Sequence, residues 1–212
     1  MKYQLAMDIL PFEDAVAIAR DMVGLADIIE IGTPLLLKEG LKAVEKMKEA
    51  VPELLVLADA KIMDAGTIEA NDVFNAGADI VTVCALAEDA TVTGVIETAK
   101  KHNKLTLIDM IAVTNPVLRA KEIDDMKPDY IQVHTAFDGR GVKNPLNTMR
   151  AVKPVLTYAD LAVAGGVGTE IIKEIASEKP GIVVIGSKVL GKPNPVEHMM
   201  QLVKLARQHI HS

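Results

Sequence analysis

Two rhythms of apolar and polar positions run along the chain. Four short β-branched runs stand out: "ADIIEIGT" from Ala26, "ADIVTVCA" from Ala78, "PDYIQVHT" from Pro128 and "PGIVVIGS" from Pro180, with starts 52, 50 and 52 residues apart. Between them lies a second set: "YQLAMD" ending at Asp8, "LLVLAD" ending at Asp59, "LTLID" ending at Asp109 and "DLAVAGG" ending at Gly166. Short apolar runs of this kind suit strands buried on both faces, and together they predict eight. The gaps carry the other rhythm. Apolar residues at helical spacing, with charges between them, predict helices over residues 12–22, 34–49, 67–76, 88–101, 168–177 and 194–210, and more faintly over 116–126 and 144–152. "GTPLLLKEG" offers Thr33 as an N-cap and Pro34 at the first helical position.

Strand and helix alternating eight times over imply parallel strands joined by right-handed crossovers. In 212 residues this is the small end of an α/β fold, the (β/α)8 TIM barrel, as a single domain spanning 1–212. The competing arrangement is a doubly wound open sheet. It would be expected to carry G-x-G-x-x-G after its first strand, which is missing, and the fifty-residue period continues through all four quarters of the chain.

Composition narrows the function. Half the residues are apolar but only 3% are aromatic, so the core must be built from Val, Ile, Leu, Ala and Met. The formal charge of −6, with no basic stripe, argues against nucleic acid and anionic membranes as partners. The single cysteine, Cys84, leaves no internal disulfide and no cysteine-rich metal site. The N-terminal "MKYQLAMDIL" is interrupted by Asp8 and does not read as a signal peptide. No apolar run approaches about 18 residues, the length a membrane span needs. A cytoplasmic enzyme or binding protein is the expectation.

In a barrel of this type the chemistry sits at the C-terminal ends of the strands. Those ends read Asp8, then Glu30, Asp59 with Lys61, Thr82, Asp109 and His134, and finally Gly165–Gly166 and Gly186–Ser187. One terminal Asp alone is as well explained as a helix cap. A ring of carboxylates, a lysine and a histidine around one mouth is not. Glu30 and Asp59, on neighbouring strands, offer two oxygen ligands, which suits Mg²⁺. Lys61 lies two residues past Asp59, on the same side if the strand continues, where an ammonium could stabilise an enediolate oxygen. Asp64 lies beyond, in the loop. The other reading of Asp59, Lys61 and Asp64 is a structural ion network. Gly165, Gly166, Gly186 and Ser187 offer bare backbone N–H groups to a phosphate, or else only permit tight turns. "GSKVLGKP" nearly matches a P-loop, but Pro193 stands where Ser or Thr must reach magnesium, and the segment falls in the last unit of the chain.

The stretch "LADAKIMDAG" resembles the Asp-x-Lys-x-x-Asp signature of the orotidine 5′-phosphate decarboxylase suprafamily. "DIIEIGTPLLLKEG", "NAGADIVTV", "LIDMIAV", "VHTAFD", "KNPL" and "AVAGGV" extend the resemblance from Lys2 to about Pro195. The resemblance is closest to the branch that joins ribulose 5-phosphate to formaldehyde. It implies Glu30 and Asp59 as Mg²⁺ ligands, Lys61 facing the enediolate, and His134 as acid/base, acting with a neighbouring carboxylate such as Asp64. It further implies Asp8 on a substrate hydroxyl and Gly165, Gly166, Gly186 and Ser187 on the phosphate; Thr82 and Asp109, by their place in the ring of strand ends, are expected to line the site. Asp64 would be donated to a neighbouring subunit, which implies a homodimer with shared active sites. A related branch, which decarboxylates 3-keto-L-gulonate 6-phosphate, carries arginines where this chain has Phe137 and Ser187. That favours aldol chemistry and leaves the phosphate to backbone amides, with Lys188 beside them; Arg140 has the wrong offset to replace the first arginine. A catalytically silent phosphosugar-binding protein is the alternative from another class.

Overall fold

The structure, a computed structural model, describes residues 1–139 and 145–210. Its strands are β1 (Lys2–Met7), β2 (Ile28–Ile31), β3 (Leu55–Ile62), β4 (Ile80–Cys84), β5 (Leu105–Asp109), β6 (Tyr130–His134), β7 (Asp160–Ala164) and β8 (Ile182–Ile185). They pair in sequence order and close into a barrel, with β1 and β8 joined in parallel from Lys2↔Ile182 to Leu5↔Ile185. The helices around them are α1 (Phe12–Asp21), α2 (Thr33–Glu39), α3 (Lys42–Ala50), α4 (Gly66–Asn75), α5 (Asp89–His102), α6 (Pro116–Asp124), α7 (Pro145–Val152), α8 (Ile172–Ser177), α9 (Ser187–Leu190) and α10 (Pro195–Ile210). This is the (β/α)8 barrel that the alternating pattern predicts. Among the described residues no helix is long and apolar enough to cross a membrane.

Period-two alternation explains where the polar residues go. Outward residues such as Leu5, Ile29, Val56 and Val81 pack under the helices in one large apolar cluster. Inward residues Ile28, Leu57, Ile80, Leu107 and Tyr130 form a separate cluster inside the barrel. Two residues further along each of these strands the inward position turns polar, giving Glu30, Asp59, Thr82, Asp109 and Gln132, all buried. The barrel is thus plugged by apolar side chains below and lined by polar ones at its C-terminal mouth.

The fifty-residue repeat has a structural cause at the other end. Asp27, Asp79 and Asp129, each just before an even-numbered strand, accept hydrogen bonds from backbone N–H groups of the preceding strand: Tyr3 at 2.8 Å, Val56 at 2.9 Å and Thr106 at 2.8 Å. The fourth repeat has Gly181 instead, where an added Cβ would lie 2.8 Å from that of Asp160.

Some predicted boundaries shift. The helix expected over 34–49 is broken at Gly40 (φ +68°) into α2 and α3. The helix expected from 168 begins only at Ile172, and α9, directly after β8, was not predicted. β1, β7 and β8 end before Asp8, Gly165 and Gly186, so these belong to loops, whereas β3 runs through Asp59 to Ile62. Arg140, the first two residues of "KNPL" and the first residue of the helix expected over 144–152 lie outside the described residues.

Candidate active site

The mouth is organised around a defect in β3. Its register against β4 shifts between Ala58 and Ile62, and Lys61 adopts a left-handed backbone (φ +45°). Such a conformation is costly for a side chain other than glycine or asparagine, and bulges of this kind re-aim side chains next to active sites. The Lys61 N–H donates to Thr82 Oγ1 at 2.9 Å, and Thr82 Oγ1 donates in turn to Asp59 Oδ1 at 2.8 Å. Lys61 Nζ contacts Asp59 Oδ2 and lies 3.5 Å from Asp109 Oδ2. Thr33, expected as a helix cap, donates its hydroxyl to Asp59 Oδ2 at 2.8 Å, with Gly32 in the capping position. Burial alone would lower the Lys61 pKa. The carboxylates of Asp59 and Asp109 outweigh it and hold the ammonium above its ordinary value, so the group stays charged.

Glu30 stands in the opposite situation. Burial, together with Asp59 beside it, pushes its carboxyl well above the usual range, although Gln4 Nε2 donates to Glu30 Oε2 at 2.7 Å. Two buried carboxylates from neighbouring strands thus face the same mouth, and the charge of Asp59 opposes that of Glu30. An oxygen-binding divalent cation would relieve that repulsion, so the donor set fits Mg²⁺. Among the described residues no group of three or more His, Cys, Asp or Glu is arranged to hold a metal. A cation at Glu30 and Asp59 would therefore keep most of its coordination for water and substrate.

Asp109 ends β5 with no solvent exposure. His134 Nδ1 lies 2.9 Å from Asp109 Oδ2 and 3.0 Å from Oδ1, and the Ile111 N–H donates to Oδ1 at 2.9 Å. Burial would raise the Asp109 pKa, but His134 and Lys61 outweigh it and hold it below the usual value. An ionised Asp109 fixes the proton on Nδ1 and leaves His134 Nε2 for the cavity. In this chain the carboxylate on His134 is Asp109. Asp64 instead accepts from its own neighbour, the Ala65 N–H at 2.7 Å, in an exposed turn away from the cavity lining. Cys84 packs by the Lys61 carbonyl at 3.6 Å, and burial, with Asp109 nearby, raises its thiol to about 11, so it carries no thiolate at neutral pH.

On the far rim, Gly165 takes φ +102°, and an added Cβ would lie 2.4 Å from the Thr135 carbonyl oxygen, so only glycine fits there. The Asp8 carboxylate lies against the next loop, where a Cβ on Gly32 would sit 2.1 Å from Oδ1. A cavity of about 560 Å³ joins both sides of the mouth. Asp8, Glu30, Asp59, Lys61, His134, Gly165, Gly166, Gly186 and Ser187 all line it, with Phe137 and Lys188 on the rim. Thr82 and Asp109 lie just beneath and touch the lining through hydrogen bonds. Sequence reasoning missed Gln4, Thr33 and Gln132. The two glutamines had a signal: each is a lone amide at an inward position, flanked in its strand by apolar residues.

Residues 1–202 match the family described as Orotidine 5′-phosphate decarboxylase / HUMPS. A 3-hexulose-6-phosphate synthase of Staphylococcus epidermidis is 45% identical over 202 residues, 95% of this chain and 96% of its own. The crystal structure of 3-hexulose-6-phosphate synthase from Salmonella typhimurium superposes with a TM-score of 0.95 at 35% identity, over 99% of this chain and 100% of that one. A 3-keto-L-gulonate-6-phosphate decarboxylase from Vibrio cholerae superposes less well, with a TM-score of 0.84 at 26% identity over 98% of each chain.

Proposed function

The chain belongs to the orotidine 5′-phosphate decarboxylase / HUMPS family and groups there with the 3-hexulose-6-phosphate synthases, and we propose that it catalyses the reversible, Mg²⁺-dependent aldol condensation of D-ribulose 5-phosphate with formaldehyde to a 3-hexulose 6-phosphate. The observation that carries this reading is the convergence of Lys61, the Asp109–His134 pair and the Glu30–Asp59 pair on one cavity, with glycine loops at its other end.

The substrate phosphate lies on the backbone amides of the Gly165–Gly166 and Gly186–Ser187 loops. This sets the carbonyl end over Lys61 and His134. Glu30 and Asp59 would hold Mg²⁺, which would supply positive charge for the oxygens that become anionic. His134 Nε2 removes a proton from C1, and its Nδ1–H stays on Asp109, which stabilises the imidazolium that forms. Lys61 donates to the 1,2-enediolate, releasing contacts that it makes to Asp59 and Asp109 in the free chain. C1 of the enediolate attacks the formaldehyde carbon. The new C–C bond forms as the formaldehyde π electrons move to its oxygen, which takes up a proton, and C2 regains its carbonyl as C3 of the hexulose. Phe137 and Ser187, in place of the arginines of the decarboxylating branch, favour this electrophile over a carboxylate-bearing substrate.

Asp64 belongs to a second subunit's site in this reading. It stands between Met63 and Ile68, which are 51% and 66% exposed, and Leu37 and Leu86 in the flanking units are also exposed. Exposed apolar side chains on the same βα unit as a carboxylate that does not line its own cavity support a homodimer. The expected setting is cytoplasmic.

The test is direct. Ribulose 5-phosphate, formaldehyde and Mg²⁺ should yield a six-carbon ketose phosphate, with formaldehyde consumed in equal amount and the reaction stopped by EDTA. Release of CO₂ from 3-keto-L-gulonate 6-phosphate without formaldehyde uptake would assign the chain to the other chemistry.

A further inference from the structure

The two carboxylates read as cation ligands are supported in different ways. Asp59 is tied by Thr33, Thr82 and Lys61. Among the described residues Glu30 has one hydrogen-bond donor, Gln4. That residue is an inward position of β1, in register with Ile28 of β2 and Val184 of β8, and is 1% exposed. Both of these register partners belong to the apolar cluster inside the barrel. Its nitrogen donates to Glu30 Oε2 at 2.7 Å, and its oxygen, Oε1, has no hydrogen-bond partner. Only the amino end of an amide can meet a carboxylate, so the partner fixes which way this amide points.

A buried amide with its oxygen unused is a poor choice for packing. An aliphatic or thioether side chain of similar size would fill the same space without an orphaned acceptor. We infer that Gln4 is kept for its effect on Glu30 and is a positioning residue for the cation site. It engages Oε2, so that Oε1, to which none of the described residues donates a hydrogen bond, would be left for a cation at the cavity that Glu30 and Asp59 line. Carboxylate ligands depend on such outer partners, whose loss weakens metal binding by about 10- to 100-fold. This inference rests on the reading of Glu30 and Asp59 as the cation's ligands.

The experiment compares the full chain with Gln4→Met, Gln4→Leu and Glu30→Gln. Mg²⁺ and Mn²⁺ binding are measured without substrate, by calorimetry and by the Mn²⁺ spin signal, and each variant is melted. Gln4→Met and Gln4→Leu should bind either ion about 10- to 100-fold more weakly while melting at or above the wild-type temperature. High Mg²⁺ should then bring the kcat of Gln4→Met back toward wild type. Wild-type metal affinity in both Gln4 variants, with affinity lost in Glu30→Gln, would overturn the role of Gln4 and leave the cation site standing. Wild-type affinity in Glu30→Gln would remove the cation site and the inference together. Melting far below wild type in both Gln4 variants would make the amide a packing element and overturn the inference as well.

Discussion

At the scale of single residues, the site is a set of charges whose burden is shared unevenly. Asp109 is the hub: wholly buried, it faces both the Lys61 ammonium and the His134 ring. Replacing Asp109 with Asn keeps the shape but removes the charge that holds Nδ1–H and stabilises the imidazolium. Turnover in Asp109→Asn should fall by about 10²- to 10⁴-fold, the range for loss of acid–base function, with KM for the phosphosugar changed far less. Steady-state kinetics with ribulose 5-phosphate check this, and a kcat within a few-fold of wild type would exclude the pair from proton transfer. The residues of this site were legible because charge at the end of a buried strand is expensive and therefore conspicuous. The partnership was not: Asp109 and His134 are 25 residues apart, and only the barrel's register brings them into contact. Lys61 was placed on the right side by simple alternation, but the route is different, since a bulge and a left-handed residue re-aim it.

At the scale of elements, strands were easier to read than helices and loops. β-branched runs bounded by charges mark strands well, and the repeated aspartates before the even strands proved to be pins on the preceding strand. Asp79 is the most heavily tied, to the Val56 N–H and to Lys48 and Lys104 at 2.8 and 2.6 Å. Burial would raise its pKa, yet the two lysines and the amide outweigh it and hold it below the ordinary value. Its folded pKa is thus lower than its unfolded one, about 3.9. Its contribution is complete above that value and is lost as pH falls through the folded pKa. Asp79→Ala should lower stability by about 1–3 kcal/mol at neutral pH, a gap that closes in acid, as denaturant melts across pH would show. A constant gap down to the acid transition would mean that the carboxylate's charge is not what pins the strand. The broken helix at Gly40 and the late start at Ile172 were hidden because helical periodicity continues through both, and a loop's course depends on what it packs against. The short α9 is too brief for any periodic signal.

At the scale of the whole molecule, the barrel closes on its own, but its mouth is asymmetric. Exposed Leu37, Met63, Ile68 and Leu86 fall in the segments that follow β2, β3 and β4, and Asp64 lies in the middle one. Sedimentation should give a dimer, and Ile68→Asp should give folded monomers with sharply reduced turnover; active monomers would confine the chemistry to one chain. In the proposed reaction one cavity forms an enediolate and passes it to formaldehyde. Proton NMR of ribulose 5-phosphate with the protein and Mg²⁺ in D₂O, with and without formaldehyde, tests this most directly. A C1 proton should exchange without formaldehyde, a hexulose phosphate should form with it, and both should be lost in Lys61→Ala. A folded protein that gives neither exchange nor product would contradict the proposed reaction.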